Sequence, residues 1–369
     1  MKVFRLIKSV RMAAFIVAIL AGVLTVMAGD AEQKALKAFA DYDAIMQKRA
    51  GGTLDANDSI AMQQNLKAAL AGFRQWRQEA GGAEMPDELA KAIGAHYNDF
   101  TVAGIFMFQT RDYAGAYDIW EACVELPDNP AVAEAVKNPQ NPRGLLAVNR
   151  ALAATQAAMY PEALAAYDKA FALGYDDRQL FDSAVTLSQQ TGDNADALKW
   201  ACRGAAKYGR NSVYREYEIK YTTETDPAKG VELATESIGE NPGEARWYNM
   251  RVIAYERLKR NEDALADLRK VTELTPADPM AWYNYGNKLL YMANLGRNGN
   301  TLDKNAYKTA LNEAAEALEQ AVKCSTGERK SMHAVVKSLN FLDQIYAQTN
   351  DKAGKKRVAD YRAKFGMTK

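Results

Sequence analysis

Residue types that carry chemistry are few in this chain, and their spacing selects no reaction. There are two histidines, His96 and His333, and three cysteines, Cys123, Cys202 and Cys324. A metal site needs ligands at short, recurring spacings. Neither histidine has a second candidate ligand at such a spacing, so both are expected to be surface or partly packed residues, with no metal. An odd cysteine count argues against a disulfide framework, and buried small hydrophobes are the plain reading. No G-x-S-x-G, Walker loop, dinucleotide fingerprint or H-E-x-x-H occurs. Carboxylates are many but spread over helical faces, and no pair is singled out for acid–base work. The expectation is a protein without catalytic residues, metal or cofactor.

Composition narrows the class further. The chain has 369 residues, 48% hydrophobic and 25% charged, which is globular and too long for one small core. Alanine is abundant while Val, Ile and Thr are thin, which favours helix because alanine loses no side-chain entropy there. With 47 basic and 46 acidic residues there is no electrostatic footprint for DNA or RNA.

The N-terminus is different in kind. Lys2, Arg5, Lys8 and Arg11 are followed by a stretch without charge from Met12 to Gly29. A basic start, an apolar run and small residues at its end predict a secretory signal over 1–28, cut after Ala28 or alternatively Ala31. About 18 apolar residues also just span a bilayer, so an uncleaved membrane anchor is the competing expectation. No cysteine stands near the cut to carry a lipid. The chain is expected to be exported, most simply to the periplasm, or anchored in the inner membrane facing it.

Residues 29–96 read as a helical cap. Leu36, Phe39, Tyr42, Ile45 and Met46 recur at helical spacing, and Gly51-Gly52 ends that helix. A second helix is expected after Asn57-Asp58-Ser59, with Ile60, Met62, Leu66, Leu70, Phe73 and Trp76 on one side and Gly81-Gly82 as its stop. Met85-Pro86-Asp87 opens a third. From 97 to 369 one phrase recurs. Units start near 97, 144, 178, 211, 245 and 279, so the steps from 144 onward are 34, 33, 34 and 34 residues. In each second helix a small residue is followed four later by a bulkier one and three later by another small one: Ala116, Trp120, Cys123; Ala163, Tyr167, Ala170; Ala197, Ala201, Gly204; Gly230, Ala234, Ser237; Ala264, Leu268, Val271. That spacing keeps all three on one face, where the small ones let helices approach. First helices answer with Phe100, Gly104, Met107; Tyr248, Val252, Tyr255; and Trp282, Gly286, Leu289. Two insertions interrupt the period, near 127–142 and 295–309. The first is expected to be a short helix between proline turns, the second a surface loop. A basic amphipathic helix near 351–365 suits a polar C-terminal cap.

A sustained step near 34 is the period of helix–turn–helix repeats, and the pattern resembles the tetratricopeptide repeat family over roughly 97–365. The unit at 245–278 matches best, through Tyr248, Tyr255, Ala264, Leu268 and Pro276. The unit at 211 departs most, because Glu218 stands where a small residue is usual. The resemblance implies an all-α, right-handed α-solenoid behind the N-terminal cap. It also implies a groove lined by first helices that takes a protein or peptide partner. On that basis the candidate binding residues are Arg246, Asn249, Glu256, Arg257, Tyr283, Asn287 and Tyr291, with Asp182, Gln189 and Arg215 in earlier units. Some members grip a peptide C-terminus with a basic and asparagine clamp. Arg246 and Asn249 are present here, but the preceding units lack the corresponding Lys and Asn, so that activity is not carried over. The expected function is a non-catalytic scaffold or adaptor of the cell envelope, with membrane association through the N-terminal segment. The alternative is an outer-membrane-associated glycan or small-ligand binder on similar helices.

Overall fold

A computed structural model of the chain describes residues 28–53, 55–80 and 84–367. The expected export segment, apart from Ala28, and the Gly81-Gly82 stop lie outside the described residues. Among these residues every regular element is helical, and the chain falls into two compact units, Met1–Gly192 and Asp193–Lys369.

The first unit begins with α1 (28–50) and α2 (Ala56–Glu79). Ala31, Ala35, Ala38, Phe39, Tyr42 and Ile45 form the buried stripe of α1. The two helices cross at Gly72, where an added Cβ would sit 2.9 Å from Ala35. Asp55 caps α2 and forms a capping box with Asp58. One expectation fails here: Ile60 is 57% exposed, and the buried stripe starts only at Leu66. At 100° per residue Ile60 lies roughly a third of a turn from the Leu66–Leu70–Phe73 line. Then come α3 (Asp87–Ala95), α4 (Tyr97–Gln109) and α5 (Tyr113–Glu125). The 127–142 insertion does form a short helix, α6 (Pro130–Ala135), after a 3₁₀ turn at Leu126–Asp128. It lies back on α3, with Ala135 pressed so close that a Cβ on Gly94 would meet it at 2.6 Å. Helices α7 (Arg143–Gln156), α8 (Tyr160–Ala172) and α9 (Arg178–Thr191) complete the unit.

The second unit holds α10 (Asn194–Tyr208), α11 (Val213–Thr225), α12 (Pro227–Glu240), α13 (Ala245–Arg257) and α14 (Asn261–Leu274). It ends with α15 (Pro279–Asn298), α16 (Lys304–Lys323), α17 (Arg329–Gln348) and α18 (Lys352–Lys364). Successive helices in each unit pack as pairs. The small–bulky–small residues are buried throughout the second helices α5, α8, α10, α12 and α14. The contacts themselves are tight: a Cβ on Gly104 would fall 2.4 Å from the Trp120 indole, and one on Gly286 2.8 Å from Leu318.

Hairpin turns repeat one geometry. Arg111, Ala158, Lys259 and Asn350 all take positive φ at the same place in their hairpins. The following amide closes a six-residue loop in each: Asp112 N to Met107 O, Met159 N to Ala154 O, Arg260 N to Tyr255 O and Asp351 N to Tyr346 O, at 2.8 to 3.0 Å. This is the Schellman way of satisfying the last carbonyls of a helix.

The 295–309 insertion is not a loop. It lengthens α15 and α16 to 20 residues each and leaves only 299–303 between them. A helix satisfies the inserted backbone polar groups internally, and the Tyr307 hydroxyl lies between Asn294 Oδ1 (2.8 Å) and Gln348 Oε1 (3.0 Å). The final helix α18 docks through Val358, and its Arg357 reaches the buried Glu319 at 2.7 Å. Tyr346 donates to the same carboxylate at 2.6 Å, and Lys323 stands 3.2 Å away. Burial alone would raise the Glu319 carboxyl, but these three donors outweigh it and hold it below the ordinary glutamate value.

Two predictions follow from this packing. Gly104→Ala is expected to cost about 1–3 kcal/mol by overpacking against Trp120, whereas Gly239→Ala, with nothing within 4 Å of the added Cβ, should be neutral or slightly stabilising. Thermal unfolding followed by circular dichroism separates the two. A carboxylate whose folded pKa is depressed adds stability above its unfolded pKa, about 4.3, and that stability is lost as the pH falls through the folded value. Glu319→Gln should therefore lower the melting temperature at neutral pH and flatten its decline below about pH 5; equal acid limbs for the two proteins would contradict this.

Candidate functional site

The residues expected to bind a partner divide into two groups. Asn249, Glu256, Asn287 and Tyr291 line one groove of about 660 Å³ between α13 and α15, within the second unit. Arg246, Arg257 and Tyr283 are not among its lining residues. Arg246 is committed to its own fold: it donates to Glu216 Oε1 (2.7 Å), to Asn211 O (3.0 Å) and to the Asn211 side chain. Its guanidinium also lies over the Trp247 ring, 4.4 Å from the centroid. Tyr283 turns toward α17, stacked on Phe341 with ring centroids 6.3 Å apart and edge-on to His333. Arg257 is exposed at the end of α13.

Of the earlier candidates, Arg215 is buried inside the α11–α12 hairpin. Its guanidinium donates to Glu218 (2.9 Å), Glu236 (2.8 Å), Leu233 O (3.1 Å) and Ser237 Oγ (3.2 Å). Glu218, which replaces the usual small residue, is thus an oversized acid held by an arginine. Asp182 and Gln189 are exposed on α9, in the first unit.

The floor of the groove is apolar, from Val252, Leu268, Val271 and Ala281. Its walls bring side-chain amides together: Asn249 from α13, Asn261 from the start of α14, and Asn284 and Asn287 from α15. Each amide offers both a donor and an acceptor. Two apolar surfaces flank them, Ile253 at 46% exposure and Tyr291 at 50%. Lys288, which also lines the groove, is buried and donates to Glu256 Oε1 (3.2 Å) and Asn261 Oδ1 (3.0 Å). Lys288 Nζ lies 5.1 Å from the centre of the Tyr291 ring.

Asn284, Lys288 and Asn261 were not anticipated from the sequence. Asn284, Asn287, Lys288 and Tyr291 follow at three, four and seven residues, which is one face of α15. Tyr283, the residue that the unit alignment predicts, lies one residue round the helix from Asn284. A helical count backward from Tyr291 would have found Asn284.

The remaining reactive groups divide between the interior and the surface. His96 is buried rather than at the surface, with Nδ1 2.8 Å from Ala92 O, Nε2 3.1 Å from Asp43 Oδ1, and its ring stacked on Phe39. His333 is exposed. The three cysteines are free thiols; Cys123 is buried as expected, but Cys324 is half-buried and Cys202 is exposed. Burial pushes the Cys123 and Cys324 thiols up, and burial together with Glu218 does so at Cys202. That is the opposite of what a nucleophilic thiol needs. Among the described residues no group of three or more His, Cys, Asp and Glu converges on a metal-sized site, and no helix is long and apolar enough to cross a membrane.

Fold and groove together define a repeat protein built of tetratricopeptide-like helix hairpins. No family model and no curated protein matches the sequence. Among solved structures, the chain is similar to the C-terminal part of a TPR repeat-containing protein from Cytophaga hutchinsonii. The match has 14% identity and a TM-score of 0.47, covering 73% of this chain and 96% of that one. It is similar to YrrB, described as a TPR protein with an unusual peptide-binding site, at 16% identity and a TM-score of 0.35 over 50% of this chain and 91% of that one. A tetratricopeptide repeat protein from Parabacteroides merdae matches at 16% identity and a TM-score of 0.33, over 81% of this chain and 99% of that one.

The division between committed and available residues is testable. Arg215→Ala leaves Glu218 and Glu236 without their partner and should cost about 3–5 kcal/mol. Asn249→Ala and Asn287→Ala should each stay within about 0.5 kcal/mol of the parent. Denaturant titration of the three variants decides the point, and comparable losses for all three would contradict the assignment.

Proposed function

We propose that the chain is a non-catalytic binding scaffold whose second unit holds an extended segment of a partner protein in the groove between α13 and α15. The carrying observation is the convergence of Asn249, Asn261, Asn284 and Asn287 around an apolar floor. Side-chain amides pair equally well with the N–H and C=O of a peptide backbone, and the floor and flanks take side chains. Tyr291 supplies the rigid amphipathic contact that dominates many interfaces. Lys288 and Glu256, two of the charges that line the groove, are paired with each other. The basic-then-apolar N-terminal segment supports an exported protein acting in the cell envelope, held there by cleavage and release or by retention of that segment as an anchor. A peptide-binding site is also named for YrrB, but the reading here rests on the groove itself.

A photo-crosslinking residue placed at Asn287, with the full chain expressed in its native cells, is expected to give a discrete protein adduct. The adduct should fall at least about tenfold when Asn249→Ala and Tyr291→Ala are added, since each removed anchor costs on the order of 1 kcal/mol or more. Retention of the same adduct in the multiple variant would move the site elsewhere, and its absence from the parent would remove the reading. Fractionation of the same cells tests export: recovery in the cytosol alone would overturn it.

A further inference from the structure

The two ends of the groove differ chemically, and from that difference we infer the segment it accepts: an extended stretch of about seven residues, basic at one end, apolar at the other and uncharged between. This rests on the groove being a peptide site.

Two cations near the groove, Lys288 and Arg246, are already matched. Lys288 is 6% exposed and bonded to Glu256 and Asn261. Arg246 is held by Glu216 and Asn211. An ammonium so paired offers a ligand carboxylate little net attraction. Among the described residues that line the groove, the charge left without an opposite partner is Asp278. It lines the groove at the first turn of α15, it is exposed, and no cation pairs with it among the described residues. Its Oδ1 accepts from Met280 N at 2.9 Å. This end favours a basic side chain.

The other end is set by helix length. The bond from Lys288 to Asn261 marks the level at which the α13–α14 hairpin turns, because Asn261 is the first residue of α14. Helix α13 stops at Arg257, but α15 continues to Asn298. The continuation projects about 15 Å beyond that level. Tyr291 and Leu295 follow Lys288 by three and seven residues and share its face. They are 50% and 48% exposed. The overhang thus presents an apolar shelf in line with the groove. From Asp278 to this shelf is about 20–25 Å along the helix, or six to seven steps of extended chain at about 3.3 Å each. The amides of Asn249, Asn284 and Asn287 lie between, where they meet backbone rather than charge.

The test is selection from a displayed library of random nine-residue internal segments on the full chain. It is repeated on Asp278→Asn, which keeps the helix cap and removes the charge, and on the exposed pair Tyr291→Ser/Leu295→Ser. The parent should enrich Lys or Arg five to seven positions from a Leu, Ile or aromatic residue. Asp278→Asn should lose only the basic preference, and the shelf variant only the apolar one. A synthetic peptide of the selected sequence, amidated at its C-terminus, should bind each variant about tenfold more weakly by fluorescence anisotropy, a factor worth about 1.4 kcal/mol. Enrichment of acidic segments, or a basic–apolar pattern unchanged in both variants, overturns the inference. Segments that lack the pattern but are lost on Asn249→Ala/Asn287→Ala overturn it while leaving the groove as a peptide site. Selection of nothing that depends on those asparagines removes both readings.

Discussion

Everything in this fold depends on the distance at which two helix backbones can cross. At four of the tight crossings one partner has no side chain and the other has a large one. Gly104 meets Trp120, Gly204 meets Tyr214, Gly286 meets Leu318, and Gly354 meets Tyr346, each so close that a single added carbon would fall within 3 Å of the neighbour. Close-packed interiors tolerate neither a void nor an extra methylene. The glycine and the large side chain therefore act as one unit, repeated with small variations along the chain. No sheet, metal or disulfide is needed to hold a hairpin whose two helices already interlock this way.

Where the small residue is lost, charge takes over. In the hairpin of α11 and α12, Glu218 occupies the small position, and Arg215 is drawn inside to pair with it and with Glu236. In the next hairpin Arg251 and the buried Asp267 form a two-pronged ion pair at 2.7 and 2.8 Å, which raises the already high pKa of Arg251 first through those hydrogen bonds. Near the C-terminus Glu319 gathers Tyr346, Arg357 and Lys323. A buried charge left alone is costly, while one fully paired is tolerated. The consequence reaches the surface: the arginines in and around these first helices are largely used inside the fold, and the groove is left with amides.

This explains which parts were legible in the sequence. The 34-residue step and the small–bulky–small triplets report backbone contact, so they appear directly as residue type and spacing, and all five triplets are buried. The short helix of the 127–142 insertion was also visible, because prolines bracket it. The turns were less visible: Gly192 signals one, but Arg111, Ala158 and Lys259 adopt the same left-handed geometry without a glycine to announce it. They are held by the Schellman bond and the packing behind it, which are tertiary facts. The candidate site was half legible. Asn249, Glu256, Asn287 and Tyr291 share the groove, but Arg246 and Tyr283 have partners 30 or more residues away in the chain, Glu216 and Phe341. Spacing along one helix cannot reveal a partner on another.

The second insertion shows why helix length, and not only residue type, shapes the binding surface. Helices α15, α16 and α17 all reach 20 residues, so the extra turns of each cover those of the next. Ala293, Tyr307, Leu342 and Ile345 are buried together in that extension, and the hydroxyl of Tyr307 ties all three helices through Asn294 and Gln348. Lengthening one helix alone would have exposed an apolar turn with nothing beside it. Lengthening three in succession buries every such face except the first, because α13, the preceding first helix, keeps its 13 residues. The uncovered face falls on α15, directly in line with the groove. Tyr291 and Leu295 are thus exposed as a geometric consequence of where the longer repeats begin.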